Sequence, residues 1–377
     1  MTEVLILGGG FGGVAAAHAL KVKAEDDLRV TLVDRRPDFA IGFRKSWGLL
    51  DPAAYKEGLR PLSAVQGGVE FRQGEVETVL PEEKAAIVDG ERIDADSMVI
   101  ALGAAHDVGS VPGFREHVLN IYDSGRIESI HQRLMDFNGG RIGIGIFGAP
   151  YTCPPAPYEI AYMLEQFYRE RGVSVEIEAF TPKPMSLPIL GEAGCSVIEN
   201  RLERKGIKFS PNKRALRVDK EKVEFATGGR DYDLILGVPP HRAPRLLEQA
   251  GLTEDGWVRP DPATLETTYP DVYAIGDLTW IPMANGKPLP MAGVFAESQG
   301  RAVAARIAAK LEGDAPDERF DGRGGCFLEV GDGKAVMVEG DFLAVPAPQV
   351  TISEPSEDLL AEKYEFERIR LDTWFGG

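Results

Sequence analysis

Apolar and polar positions alternate along this chain in a repeating strand–helix order. Val4-Leu-Ile-Leu7 is a short apolar run that breaks at the glycine cluster Gly8-Gly-Gly-Phe-Gly-Gly13. An alanine-rich helix through Leu20 follows, then a second apolar strand, Arg29-Val-Thr-Leu-Val33, that ends at Asp34. Residues 74–79 and 85–88 read as hairpin strands, and 96–103 as a strand closed by glycine. A helix around 124–137 leads to the strand Arg141-Ile-Gly-Ile-Gly-Ile-Phe147, a helix over 158–172 and a strand over 175–180. The strand–turn–helix–strand order therefore occurs twice. A helix over 196–205 and strands at 215–218, 222–225 and 233–237 complete the middle of the chain. Residues 269–277 read as a strand ending in Gly-Asp, and 293–311 as a long helix. From Phe320 onward the pattern is β-rich and closes in an amphipathic stretch over 357–370. Strands alternating with helices predict an α/β fold built on parallel sheets.

The first unit has a specific chemistry. Strand, G-x-G-x-x-G, helix, strand and acid follow in that order, with Gly8, Gly10 and Gly13 as the spaced glycines. Gly8 permits the tight turn, Gly10 lets a pyrophosphate approach the backbone, and Gly13 lets helix and strand pack closely. Asp34 is placed to accept hydrogen bonds from an adenosine ribose. Arg35, Lys45, Val76 and Gly103 join it as candidate cofactor contacts.

The second unit departs from that pattern. Its turn reads Gly148-Ala-Pro-Tyr-Thr-Cys-Pro-Pro-Ala-Pro-Tyr-Glu159. Proline lacks the N–H that would cradle a pyrophosphate, and a thiol, Cys153, stands in the loop. The following strand ends in Thr181-Pro182, with neither an acid for a ribose nor a basic pair for a 2′-phosphate. Both features argue against a nicotinamide donor and for a thiol–disulfide centre.

The chain has 377 residues and a net charge of −17, which disfavours nucleic acid and anionic membranes as partners. The start of the sequence has no basic signal-like segment, and no apolar run reaches transmembrane length. A cytoplasmic protein is expected, at most peripheral to the inner face of the membrane. The three cysteines, Cys153, Cys195 and Cys326, form no CxxC pair and no zinc spacing, so no metal site is expected.

Three separated pieces agree with one another: the GxGxxG unit with Asp34, the strand end Ala101-Leu-Gly103, and Ala274-Ile-Gly-Asp277. Together they resemble the two-dinucleotide-domain flavoproteins of glutathione-reductase design. The resemblance implies two Rossmann-like dinucleotide-binding domains with a small C-terminal α+β region, and FAD as cofactor. Asp277 would hold the ribitol, and Val294, at the start of the late helix, would offer a backbone N–H to the flavin edge. The implied division is an FAD-binding domain from 1–108 and 252–319, a second Rossmann-like domain over 109–251, and a C-terminal redox-cysteine region over 320–377.

The segments 150–159, 238–244 and 292–297, with Gly325-Cys326 and the tail 369–376, are similar to one branch of these flavoproteins. That branch contains the sulfide:quinone oxidoreductases and the flavoprotein chain of flavocytochrome c sulfide dehydrogenase. It implies that Cys153 and Cys326 form a redox pair at the flavin. Hydrosulfide or a small sulfur compound would attack their disulfide, and a second hydrosulfide would carry the sulfur away as polysulfide. Glu159 would handle protons. The electron acceptor stays open between a quinone, a c-type cytochrome and another acceptor, and a homo-oligomer is compatible with the sequence. The branch's covalent flavin cysteine has Gly42 in the matching segment, so non-covalent FAD is expected. Cys195 matches no redox position and reads as structural, as do His131 and His241. Two other readings compete: an NAD(P)H-dependent flavin reductase of the same superfamily, and a flavin redox sensor without turnover.

Overall fold

The computed structural model describes residues 2–23 and 28–376. In chain order its main elements are β1 (Thr2–Leu7), α1 (Phe11–Lys23), β2 (Leu28–Asp34), α2 (Arg44–Leu50), β3 (Glu70–Gln73) and β4 (Ser97–Ile100). The middle of the chain adds β5 (Leu119–Asn120), β6 (Gly140–Ile146), α3 (Ala156–Glu170), β7 (Val175–Phe180), α4 (Gly191–Arg204), β8 (Lys208–Ser210) and β9 (Leu234–Val238). Then come β10 (Val272–Ala274), α5 (Gly293–Glu312), the strands β11 (Arg323–Glu329), β12 (Ala335–Asp341) and β13 (Gln349–Ile352), and the helix α6 (Glu357–Phe375).

Two five-stranded parallel sheets form the frame. The first has the order β10-β4-β1-β2-β3, and the second β5-β9-β6-β7-β8. Four strands of each sheet follow the same order, and the edge strand beside them comes last in the chain in the first sheet and first in the second, so the Rossmann-like unit is present twice. Each central strand is buried on both faces because helices or further strands cover both sides: Val4, Leu5, Ile6 and Leu7 in β1, and Ile142, Ile144 and Ile146 on one face of β6 with Gly143 and Gly145 on the other, are all buried. The chain passes between the units at Ala105–His106 and returns at His241–Arg242, and these two short strands pair antiparallel.

Helices α1 and α5 cross beside β1 with almost no space between them. A Cβ on Gly300 would lie 2.4 Å from the carbonyl oxygen of Gly12, so this crossing requires glycine. Strands β11, β12 and β13 make an antiparallel sheet, and α6 packs over it and α1. Trp374 of α6 is buried in edge-on contact with Phe11 and Phe39.

Several boundaries move from the expected ones. The helix expected from 196 begins at Gly191, which puts Cys195 in its second turn rather than at its start. Gly191 and Gly194 read as breakers, but burial of Cys195, Ile198 and Leu202 on one face extends the helix. Residues 44–50 form α2, so Lys45 lies on a helix and not in a loop. Only Val272–Ala274 of the expected strand 269–277 joins the sheet; Asp277 sits on a 3-10 turn after it. Among the described residues no helix is long and apolar enough to cross a membrane.

Candidate active site

The loop after β1 forms a cradle whose glycines have different duties. Gly8 is at φ +111°, in the region that favours glycine. A Cβ on Gly13 would fall 1.8 Å from the Gly8 carbonyl oxygen, so the fold needs glycine there. A Cβ on Gly10 would meet nothing within 4 Å. Open space at this one backbone position is what a pyrophosphate would fill. Asp34 lies at the end of β2, buried, with Oδ2 accepting the Gly9 N–H at 2.7 Å. Its other partner is Arg36, whose Nη2 donates to Oδ2 at 3.0 Å and whose N–H donates to Oδ1 at 2.8 Å. Burial pushes the Asp34 carboxyl up, but Arg36 and the two backbone N–H groups outweigh it and hold it below the ordinary range. Arg35 points elsewhere, exposed and 3.6 Å from Glu75. Val76 is buried in the same apolar cluster as Leu5, Leu7 and Val33, two residues after Gly74, whose N–H donates to the Asp34 carbonyl. Gly103, at φ +67°, ends the segment after β4.

The other end of the cleft is built from three segments. Asp277 follows β10, and Gly276 N–H donates to Gln299 Oε1 at 2.6 Å, which fixes the turn against α5. A shallow hollow opens between Asp277, Pro290, Ala292 and Gln299. The first turn of α5, with Gly293 and Val294, faces this region with N–H groups that have no partner within the helix. Burial raises the Asp277 carboxyl above its usual range, while the Thr152 hydroxyl and Lys45 pull it down. Lys45 in turn is lowered by burial and by Arg36, and Asp277, Cys153 and Asp123 act against that. The open backbone at Gly10 and the acid at the end of β2 fit a dinucleotide such as FAD, which Gly8, Gly10, Gly13, Asp34, Asp277 and Val294 would hold.

Cys153 lies in the β6–α3 loop, which is fastened to this hollow. Its N–H donates to the Met291 carbonyl at 2.7 Å, and its own carbonyl accepts the Tyr122 hydroxyl at 3.0 Å. The neighbouring Thr152 hydroxyl donates to Asp277. Cys153 sits at φ +47°, an uncommon conformation for a side-chain-bearing residue. Cys326 is in the middle of β11, opposite Val338, and lines a small apolar cleft with Pro154, Ile189, Ala292 and Phe295. All three cysteines are unpaired thiols. Burial raises the Cys153 thiol strongly, and the nearby Cys326 adds to the effect. Burial pushes Cys326 up to about 12, and Glu159 and Asp277 contribute. Cys195 is remote from this group, buried with Sγ 3.1 Å from the Leu187 carbonyl.

Glu159, in the first turn of α3, belongs to a buried ionic cluster. Lys363 of α6 has no exposed surface and donates to Glu159 and, at 2.7 Å, to Glu329 of β11. Trp47 Nε1 donates to the same Glu329 at 2.5 Å. The ammonium also lies 4.7 Å from the ring centroid of Phe43. Burial and Glu329 raise the Glu159 carboxyl, while Lys363 opposes them. Its charge would be felt at both Cys153 and Cys326. His131 and His241 bond backbone carbonyls, those of Leu49 and Pro239.

Arg36, Thr152, Glu329 and Lys363 were not among the sequence candidates. One signal existed for Arg36: in an extended segment, position 36 shares a face with position 34, and position 35 does not.

The family profile described as pyridine nucleotide-disulphide oxidoreductase matches residues 2–300. Mitochondrial sulfide:quinone oxidoreductase from mouse is 25% identical, covering 94% of this chain and 81% of that protein. A type II NADH:quinone oxidoreductase from Staphylococcus saprophyticus is 23% identical, covering 90% of each. The crystal structure of sulfide:quinone oxidoreductase from Aquifex aeolicus has the same fold, with a TM-score of 0.89 over 100% of this chain and 92% of its own at 22% identity.

Proposed function

This chain belongs to the pyridine nucleotide-disulphide oxidoreductase family, and from that premise we propose that it oxidises sulfide or a related small sulfur compound, using FAD and the pair Cys153 and Cys326. One observation carries this reading: the turn after β6, where a second dinucleotide would need free backbone N–H groups, holds a thiol tied to the flavin-side hollow through Met291 and Asp277.

The residues at the cradle would bind FAD without a covalent bond; a Cβ on Gly42 would meet nothing within 4 Å, and no thiol stands there. The bound flavin would supply a two-electron acceptor. In the oxidised protein Cys153 and Cys326 form a disulfide. Hydrosulfide attacks the Cys153 sulfur, a new S–S bond forms, and Cys326 leaves as thiolate. A second hydrosulfide attacks the outer sulfur of the Cys153 persulfide and releases a disulfane, leaving Cys153 as thiolate. Closing the Cys153–Cys326 disulfide again gives up two electrons, for which a flavin held by the cradle would be the acceptor. Glu159 is the acid–base group whose charge reaches both sulfurs, and Lys363 and the Glu329 N–H hold it in place. A quinone, a c-type cytochrome or another acceptor would reoxidise the flavin, with the protein at the cytoplasmic side and at most peripheral to the membrane.

The similarity to NADH:quinone oxidoreductases sets the competing reading, with NADH as donor. Anaerobic titration of the FAD-loaded protein with sulfide and, separately, with NADH decides between them. Bleaching by sulfide and not by NADH is expected; bleaching by NADH alone would overturn the proposal.

A further inference from the structure

The small cleft that reaches Cys326 has a wall of one chemical kind. Pro154 and Pro155 of the cysteine loop, Ile189, Pro290, Phe295 and Val338 line it, and among the described residues every lining residue apart from Cys326 is a hydrocarbon side chain or glycine. No ammonium, guanidinium, hydroxyl or amide side chain is part of the wall. A small molecule in this cleft therefore lies between Cys326 and the loop that begins at Cys153, with no side chain able to replace an anion's water.

Sulfide near neutral pH is a mixture of the hydrosulfide anion and neutral hydrogen sulfide. The anion would lose its hydration in the cleft and find no donor, which is costly. The neutral molecule is small and bonds water weakly, as a thiol does, so it loses little. The charges that reach the cleft favour the same form. Glu159 and Asp277 both act to keep the proton on the Cys326 sulfur, and the ammonium that opposes them, Lys363, already bonds Glu159 and Glu329. The chain's net charge of −17 adds long-range repulsion of anions.

We propose that this cleft admits neutral hydrogen sulfide and excludes hydrosulfide, so that the attacking anion forms only beside the cysteines. The proposal names the form of the substrate in the sulfide reading above and rests on that reading. Glu159 stands one helical turn beyond the wall, its N–H donating to the Pro155 carbonyl at 3.1 Å. Hydrogen sulfide gives one proton to the Glu159 carboxylate, and its sulfur attacks the Cys153 sulfur of the disulfide. The new S–S bond forms on Cys153, the old one breaks, and the Cys326 thiolate takes the proton back from Glu159. One hydrogen sulfide and one disulfide become one persulfide and one thiol. The sulfide sulfur is oxidised, the disulfide is reduced, and no net charge is left in the cleft.

The test compares alkylation of Cys326 in the reduced, FAD-loaded protein by iodoacetate, an anion, and by neutral iodoacetamide of nearly the same shape, with the site read by peptide mapping. Both reagents need the same thiolate, so the ratio of their rates cancels the thiol's ionisation. The iodoacetate-to-iodoacetamide ratio should be about a hundredfold lower in the folded protein than in the urea-unfolded chain. It should stay low at high salt, because salt screens long-range repulsion and does not restore lost hydration. Ile189→Lys puts an ammonium on the wall and should raise the ratio about tenfold or more, while Ile189→Met should keep the wild-type value. At fixed total sulfide, flavin bleaching by the wild type should slow about tenfold per pH unit above neutrality, as the neutral share falls, and Ile189→Lys should flatten that decline. Equal ratios in the folded and unfolded protein, or bleaching that rises with the hydrosulfide share, would overturn the proposal. If sulfide bleaches no form of the protein, the sulfide reading fails and the substrate assignment falls with it, while the alkylation ratio still decides whether the cleft rejects anions.

Discussion

The backbone N–H of Cys153 donates to the carbonyl of Met291 at 2.7 Å, so the segment entering α5 holds the candidate redox loop in place. A second tie runs beside it, from the Thr152 hydroxyl to the buried Asp277 carboxylate. The two ties join the second Rossmann-like unit to the place where the first would hold the ribitol. Loss of the Thr152 hydroxyl leaves the Asp277 carboxylate short of a donor, which favours its neutral form. Thr152→Val should weaken FAD binding about tenfold, the effect of one hydrogen bond to a charged group of about 1.5 kcal/mol, and Thr152→Ser should restore it. FAD titration of the deflavo protein by fluorescence quenching measures both.

The glycines of the cradle should separate binding from folding. Gly10→Ala places a methyl group in open space, so the thermal midpoint of the FAD-free protein should stay within a degree or two while FAD affinity drops steeply. Gly13→Ala drives a methyl group into the Gly8 carbonyl oxygen and should cost about 1–3 kcal/mol of stability even without FAD. Equal effects of the two substitutions on the midpoint would refute this division of labour.

Legibility followed range along the chain. The first cradle could be read because its turn, helix and acid lie within one strand–helix–strand unit, where spacing alone sets the geometry. The Cys153 loop could be read as a departure from that unit. The proposed partnership of Cys153 with Cys326 entered only through the resemblance, since no local period links a loop after β6 to a strand after α5. Lys363 was hidden in a different way. Lys363, Glu367, Leu371 and Trp374 form one buried stripe of α6, and its first half is charged. A hydropathy pattern assigns such positions to solvent. They are buried because partners arrive from elsewhere: Glu159 and Glu329 for Lys363, and Arg44 at 2.7 Å for Glu367. The same limit applies to Arg36, which sits by Asp34 while Arg35 meets solvent.

The two candidate redox thiols should be poor nucleophiles in the reduced protein. Burial raises both, Cys326 to about 12 and Cys153 further, so each stays protonated at neutral pH. Alkylation of either by iodoacetamide should therefore rise tenfold per pH unit from neutrality through pH 10, with no plateau near the ordinary value of 9.0. Linkage gives the matching effect on stability. The thiols bind protons more tightly folded than unfolded, so the stabilisation is complete below about 9, the ordinary thiol range, and is lost as pH rises toward 12. Urea unfolding of the reduced protein across this range checks the sign.

Replacing the cysteines should divide them by role. Cys153→Ser and Cys326→Ser should each abolish flavin bleaching by sulfide, because a hydroxyl can neither form nor accept the disulfide. Cys195→Ala removes a buried sulfur that donates to the Leu187 carbonyl and meets the Ser186 side chain. It should leave the bleaching rate within about twofold and lower stability by about 1 kcal/mol. Loss of bleaching in Cys195→Ala with an unchanged fold would move the redox role away from the pair.

The Lys363 ammonium offsets two carboxylates in a site with no exposed surface, and that makes it a structural requirement whatever the activity is. Lys363→Met would leave Glu159 and Glu329 facing one another, with one proton needed to relieve their mutual repulsion. A broken buried ion pair of this kind costs about 3–5 kcal/mol. Adding Glu159→Gln to Lys363→Met removes one of the uncompensated charges and should recover part of the loss. The single variant should also become more stable as pH is lowered from 8 to 6, because protonation relieves the repulsion, while the double variant should show a weaker dependence. Urea midpoints of the two variants at both pH values test the account. A Lys363→Met protein as stable as the wild type, with the same pH dependence, would show that the cluster contributes nothing to holding α6 over the cysteine site.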